Sequence, residues 1–269
     1  MISISTNYGS MFASKAAGAA QKTMNSAMEK LSSGLRINNA KDDAAGQGIA
    51  TRLTAEITSL NMASRNASDA QAMIDTAEAA HQEVHAILLR MREIAVQASN
   101  GTLSASDRTA LNAEVTALET EITSIADNTA FAGIKLGTGL SVAFQIGTAN
   151  GNVLNHKFVD FDVSSIGANI AVNSVSTATA ALATIDGAIS VVSANRGNLG
   201  ATSNRLSSTI ANLDNVSVNL SSARGRIQDT DFAQETSNLA KSQIMQQAAT
   251  AMLAQANASK GSILTLIQG

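Results

Sequence analysis

Seven apolar residues recur at every seventh position near the C-terminal end of the chain: Ile185, Val192, Leu199, Leu206, Leu213, Leu220 and Ile227. Two further rows lie upstream, Leu53, Leu60, Ala67, Ile74, His81, Leu88 and Ala95, and Ala63, Ala70, Ala77, Val84, Met91 and Ala98. An unbroken seven-residue period specifies long helices whose narrow apolar seams pack in a slight left-handed supercoil. A seam needs a partner, and the rows at opposite ends of the chain can serve each other. The pattern predicts a mainly α protein: a long antiparallel, coiled-coil-like helical bundle drawn from both chain ends, with the termini together.

Composition narrows what such a bundle can be. Aromatic residues make up 3% of the 269 residues and charged residues 14%, with no Cys, Pro or Trp and one Tyr, Tyr8. A core built on rings is excluded, and Ala, Ser, Thr and Asn suit helices packed closely through small side chains. The formal net charge of −3 argues against nucleic acid or an anionic membrane as the main partner. Without Cys there are neither disulfides nor thiolate metal sites, and without Pro the helices lack their strongest breaker. Residues 1–12 have no basic start and no apolar run, unlike a cleaved secretory leader. No stretch reads as the roughly 20 apolar residues that span a bilayer, so no membrane insertion is expected.

A pass along the chain gives a helix over 11–35 with a stripe at Phe12, Ala16, Ala20, Met24, Met28, Leu31 and Leu35, weakened at Ser32-Ser33-Gly34. Asn38-Asn39 and Asp42-Asp43 form a capping region for a second helix over 47–100. A third starts near Ser104, with Asp107 completing a capping-box variant and a stripe at Leu111, Val115, Leu118, Ile122 and Ile125. From Phe131, glycines punctuate short alternating runs, Val142/Phe144/Ile146 and 158–163, read as a small β-hairpin turning at Ala149-Asn150-Gly151. Residues 173–179 read as a loop, the long heptad helix as 180–226, and a last helix, capped by Asp229-Thr230-Asp231, as 232 to about 260, before an apolar tail at 263–267. Three parts follow: 1–45 plus 226–269, terminal helices; 46–135 plus 180–225, a helical bundle; and 136–179, a short hairpin and loop insert. The terminal segments are poor in large apolar residues. Ordering their roughly 90 residues costs on the order of 100 kcal/mol in conformational entropy, so they are expected to fold when many copies bury them against each other.

Leu31-Ser32-Ser33-Gly34-Leu35-Arg36-Ile37-Asn38 with Ala40-Lys41-Asp42-Asp43-Ala44-Ala45-Gly46 closely resembles the N-terminal signature of bacterial flagellins. So do 90–98, Asn100-Gly101-Thr102 and Asp107-Arg108. Gly197-Asn198-Leu199-Gly200-Ala201, Asn204-Arg205-Leu206 and 251–257 resemble the family's C-terminal half, and Phe144-Gln145-Ile146-Gly147 also fits. The resemblance covers about 1–135 and 180–269. It implies a secreted, extracellular flagellar filament subunit: a homopolymer whose terminal helices form an inner core and whose long helices form an outer core. It also implies export as an unfolded chain by the flagellar type III machinery, and an export chaperone, a filament cap and hook–filament junction proteins as partners. About 45 residues separate the two matching blocks, so a minimal form without large surface domains is expected. A hook–filament junction protein shares the architecture, but its signature usually carries a Pro near the paired aspartates, where this chain has Ala44-Ala45. A membrane-active amphipathic protein is the alternative of another class, weakened by the lack of Trp and of a Lys/Arg-rich face.

The subunit-packing seam is assigned to Leu53, Leu60, Ile74, Leu88, Ile185, Val192, Leu199, Leu206, Leu213, Leu220 and Ile227. From the resemblance, the segment matching 89–96 and the following helix would meet the vertebrate Toll-like flagellin receptor, with Arg90, Gln97 and Glu114 as contact candidates and Leu89 as a departure from strongly recognised members. Ser174, Ser176, Thr177 and Thr179 could take O-glycans. No catalytic, cofactor or metal residues are assigned. His81-Gln82-Glu83-Val84-His85 lacks the metalloprotease order, and His81 sits in a heptad row, where a polar residue fixes register. Gly137-Thr138-Gly139 reads as a turn, and Asp42-Asp43 as helix capping with a lattice contact.

Overall fold

The computed structural model describes residues 6–268, with side chains to residue 262; the first five residues and the side chains of the tail at 263–267 lie outside the described residues. Among the described residues there are five helices: α1 (Tyr8–Ser33), α2 (Ala44–Ala98), α3 (Ala105–Asn128), α4 (Val175–Gln228) and α5 (Phe232–Gln268). Two short antiparallel hairpins lie between α3 and α4: β1 (Ala130–Phe131) with β2 (Ile134–Lys135), and β3 (Ser141–Gln145) with β4 (Val153–Lys157). The mainly α expectation holds. The chain divides into two compact units, 1–55 with 219–269, and 56–218, and α2 and α4 each contribute to both.

In unit 56–218 the heptad rows are the core. Ala63, Ala67, Ala70, Ile74, Ala77, Val84, Leu88, Met91, Ala95 and Ala98 of α2 are buried, as are Ile185, Val192, Leu199 and Leu206 of α4. One cluster joins the second half of α2 to α3, the start of α4 and Phe161, Val163, Ile166 and Val172. A second joins Ala67–Ala77 to Leu199, Leu206, the hairpin residue Leu154 and Phe158, which follows the hairpin. The helix starts follow side-chain chemistry. Ser104 and Asp107 form a reciprocal capping box for α3, and Asp43 Oδ1 accepts from Gly46 N at 2.9 Å at the head of α2.

Four sequence expectations change. The partner of 141–145 is 153–157, in the register Ser141↔Lys157 to Gln145↔Val153, not 158–163. Residues 158–163 leave the sheet because Phe158 and Phe161 are buried in different clusters. Residues 173–179 are not a loop: α4 begins at Val175, with Ser174 Oγ accepting from Thr177 N at 3.1 Å as its cap. The β1–β2 hairpin was not foreseen. Its two-residue turn has positive φ at both Ala132 (49°) and Gly133 (84°), and an Ala at the first position hides the usual signal. After it, Gly137 passes so close to the end of α3 that a Cβ would lie 2.2 Å from the Ala126 carbonyl oxygen, which only glycine allows. Finally, α4 is apolar enough by length and composition to cross a membrane, its best window having a mean hydropathy of 1.5. Its apolar rows serve the bundle core.

The other unit is built differently. Helices α1 and α5 pack antiparallel through positions seven apart: Ala13, Ala20 and Ala27 on one side, Glu235, Ser242 and Ala249 on the other. Gly34, at φ 73°, ends α1, its N–H donating to Lys30 O. The chain then pairs with the α4–α5 connection: Arg36 N donates to Gln228 O at 2.7 Å and Thr230 N to Gly34 O at 3.0 Å, around an antiparallel bridge between Leu35 and Asp229.

Candidate functional site

The outward face of the α1–α5 pair is the most unusual surface of the molecule. Small residues fill its seam, so the backbones approach closely, and the large side chains are turned out. Tyr8, Met11, Phe12 and Met28 on α1, and Phe232, Ile244, Met245 and Met252 on α5, are exposed, Phe12 by 77% and Met252 by 65%. The stripe expected for α1 was thus read in the wrong phase. Ala20 is buried, but Phe12 and Met28 face outward, and Ala16, Met24, Leu31 and Leu35 are only partly covered. The true seam, Ala13/Ala20/Ala27, is itself a seven-residue row, and that spacing was the signal available.

Polar bonds lock the register of the pair. Asn7 caps α1 by accepting from Ser10 N at 3.0 Å and reaches α5, donating to Ala256 O at 3.1 Å. Gln246 donates to Gln21, and Lys30 Nζ lies 3.6 Å from Glu235 Oε1, a half-buried pair. Glu29 Oε1 accepts from the side-chain amides of Asn38 and Asn39 at 3.1 and 2.9 Å. Asp42 caps this connection by accepting from Asn38 N and Asn39 N, bonds that hold its carboxyl below the usual carboxylate range.

The assigned seam residues fall on both sides of the unit division. Leu60, Ile74, Leu88, Ile185, Val192, Leu199, Leu206 and Leu213 are buried within the chain's own unit 56–218. Leu53, Leu220 and Ile227, in the other unit, are partly exposed. The buried members pack within the subunit rather than between subunits, because α2 and α4 face each other there. Polar rungs flank the seam: Glu78 with Arg196 at 2.7 Å, Arg92 with Asp186 at 2.7 Å, Ser64 with Asp214 at 2.9 Å and Asn61 with Ser217 at 2.8 Å. Each bond joins α2 to α4 in antiparallel register.

Arg90 and Glu114 come together: Arg90 Nη2 and Nε both donate to Glu114 Oε1, at 2.8 and 3.2 Å, and Nη1 to Glu93 at 3.0 Å. The Glu114 bond, then Glu93, hold the guanidinium pKa above its ordinary value. Gln97 is exposed two turns along α2, with Leu89 and Val96 also exposed nearby on that helix. Of the glycan candidates, Ser174 is the α4 cap, while Thr177 Oγ1 donates to Asn173 Oδ1 and Thr179 Oγ1 to Val175 O. A regular helix start, rather than a flexible loop, holds all four. His81 is buried in the α2 core row, and among the described residues no three His, Cys, Asp or Glu side chains converge.

The bacterial flagellin N-terminal helical region matches residues 4–141, and the bacterial flagellin C-terminal helical region matches 182–267. A flagellin of Halalkalibacterium halodurans is 43% identical over 247 residues, 90% of this chain and 91% of that protein. The chain belongs to the bacterial flagellins. The Bacillus subtilis flagellin is 40% identical over 278 residues, again spanning 90% of this chain and 91% of that one. The crystal structure of Bacillus cereus flagellin aligns with a TM-score of 0.52 at 32% identity, over 55% of this chain and 88% of that one.

As a flagellin, the chain is a structural subunit of the flagellar filament, an extracellular appendage that serves motility, and the subunit forms a homopolymer. A surface of eight large apolar side chains over an alanine seam is a liability for a solitary protein and a resource for a polymer.

Proposed function

We propose that this flagellin polymerises by burying the outward apolar face of the α1–α5 pair against neighbouring copies, and that the connected heptad bundle supplies a prefolded support. The supporting observation is the inverted distribution of size in that pair, small residues inside and large apolar residues outside. Burying a Met, Ile or Phe is worth roughly 1.5–3 kcal/mol each, so burying all eight on this face contributes on the order of 10–25 kcal/mol per subunit toward ordering the two Ala-rich helices. The terminal segments reach their final order on assembly. Export as an unfolded chain, handled by an export chaperone and delivered beneath a filament cap onto junction proteins, fits an assembly surface that must stay unpaired until use. The reading is non-enzymatic throughout. Replacing Met245 and Met252 by Gln tests it: seeded growth followed by electron microscopy should fail or need at least tenfold more monomer. Filament growth at the unaltered concentration would refute the assignment of this face.

The exposed cluster of Arg90, Glu93 and Glu114, with Leu89 and Val96 beside it on α2, supports a second reading, in which the monomer is recognised by the Toll-like flagellin receptor there. Arg90→Ala should weaken activation of receptor-bearing reporter cells at least tenfold; undiminished activation removes Arg90 from that role.

A further inference from the structure

The one polar residue in the α2 core row, His81, is 2% exposed, and its Nδ1 has no hydrogen-bond partner. Its ring lies on Phe161, centroid to centroid at 4.5 Å and tilted by 51°. On α4, Asn195 is 9% exposed and its Nδ2 is likewise unpartnered. Asn195 directly precedes Arg196, whose guanidinium is bonded to Glu78, three residues before His81. Two buried polar side chains with open hydrogen-bonding atoms thus stand on α2 and α4, close in sequence to the Glu78–Arg196 rung that joins those helices. A buried, unpaired polar group is costly, and a buried, unpaired charge far more so.

We propose that His81 is an acid-operated release in the helical unit 56–218. In its neutral form the ring is a flat, near-apolar filler that holds the segment 158–172 against α2 through Phe161. Protonated, it becomes a buried cation beside Arg196 with an Nδ1 proton that meets no acceptor, and the segment is expelled from the core.

The charged groups on the surrounding elements do not rescue the cation. On α2, Glu78 is committed to Arg196, Glu83 has an exposed side chain, and His85 is partly buried. On α4, Arg196 repels it. In the 158–172 segment Asp162 accepts from Ser164 and Ser165, while Asp160 accepts from Asp162 N. At the end of α3, Asp127 lies 3.9 Å from Lys135. Burial first, then Arg196, with Glu78 opposing, lowers the His81 pKa from 6.5 to about 4. Between these values the unfolded chain binds a proton that the folded one refuses. Stability from this residue is therefore complete above about pH 6.5, falls as pH drops toward 4, and changes no further below it. Linkage gives about a 40-fold rise in the unfolding constant between pH 6.5 and 4.5 from this one residue.

The test uses the full-length monomer. Urea unfolding at pH 6.5 and 4.5 is compared between the unaltered chain and His81→Leu, so that contributions from His156, itself lowered by burial, and from carboxylates cancel. The unfolding constant of the unaltered chain should rise about 20- to 40-fold more than that of the variant, and hydrogen exchange at 158–172 should accelerate at pH 4.5 only in the unaltered chain. Equal pH dependence in the two proteins overturns the proposal. Should the variant fail to fold, direct NMR titration of His81 in the unaltered chain decides. A midpoint near 4 supports the release, and a midpoint above 6 overturns it.

Discussion

The two compact units solve opposite problems with the same seven-residue period. In unit 56–218 the α4 row carries Ile, Val and Leu and meets α2 rows that mix Ala with Leu, Ile, Val and Met, and these are buried. In the α1–α5 pair it carries Ala, Ser and one Glu, while Phe, Met and Ile are left outside. Periodicity sets which residues line a seam. Side-chain size decides whether the seam completes a core or only brings two backbones together. The first unit encloses its large apolar side chains, and the second leaves them exposed.

The contrast is sharpest at Leu206 and Met252. Leu206→Ala removes a fully buried side chain and should cost ~2–5 kcal/mol. That loss is measured as a lower urea midpoint of the monomer; an unchanged midpoint would mean that the α4 row is not the core. Met252→Ala should leave that midpoint within about 0.5 kcal/mol yet impair seeded polymerisation. A monomer destabilised by the Met252 change would erase the distinction between the units.

Next in size is the alanine seam. Ala20→Leu forces a large side chain between backbones that an Ala row holds close, and should cost ~1–3 kcal/mol. Circular dichroism should show lost helix in the polymer, with the thermal transition of unit 56–218 unaffected. Helix caps come third. Ser104→Ala breaks the α3 capping box and should cost ~1 kcal/mol in monomer stability. Asn7→Ala also removes a cap, but one that reaches across to α5, so its effect should be read in the filament dissociation temperature instead. The Asp107 carboxyl, held low first by the Ser104 hydroxyl and then by its N–H, adds stability present above its unfolded value. That contribution is lost as pH falls through the folded one. Smallest is the Glu78–Arg196 rung, about one-third exposed on each side: Glu78→Gln should cost no more than ~1 kcal/mol, and less as salt is added.

How much could be read beforehand differs along the chain for physical reasons. The α2 and α4 rows were legible because long apolar heptads on two helices, with Leu, Ile and Val recurring among the alanines, can bury themselves only against each other. The α3 capping box and stripe were legible because both are local. The phase of α1 was not, since Phe12, Met24 and Met28 look like a core stripe to any reading that counts hydrophobicity and ignores the partner. The strand partner of 141–145 was misplaced because the aromatic alternation at 158–163 imitates a strand, whereas 153–157, with Asn155, His156 and Lys157, does not. The start of α4 was hidden because Ser and Thr serve equally as loop residues and as helix caps.

By itself, then, the sequence determined the helical class, the seven-residue seams, the helix starts held by local caps and, through its motifs, the flagellin family. Only the tertiary structure decided which apolar residues are enclosed and which stand free, because burial depends on what lies opposite. Met91 is covered by its own chain and Met252 is not, although both are methionines on long helices. The same dependence places His81 against Phe161, some 80 residues away in sequence, where no periodic pattern could have put it.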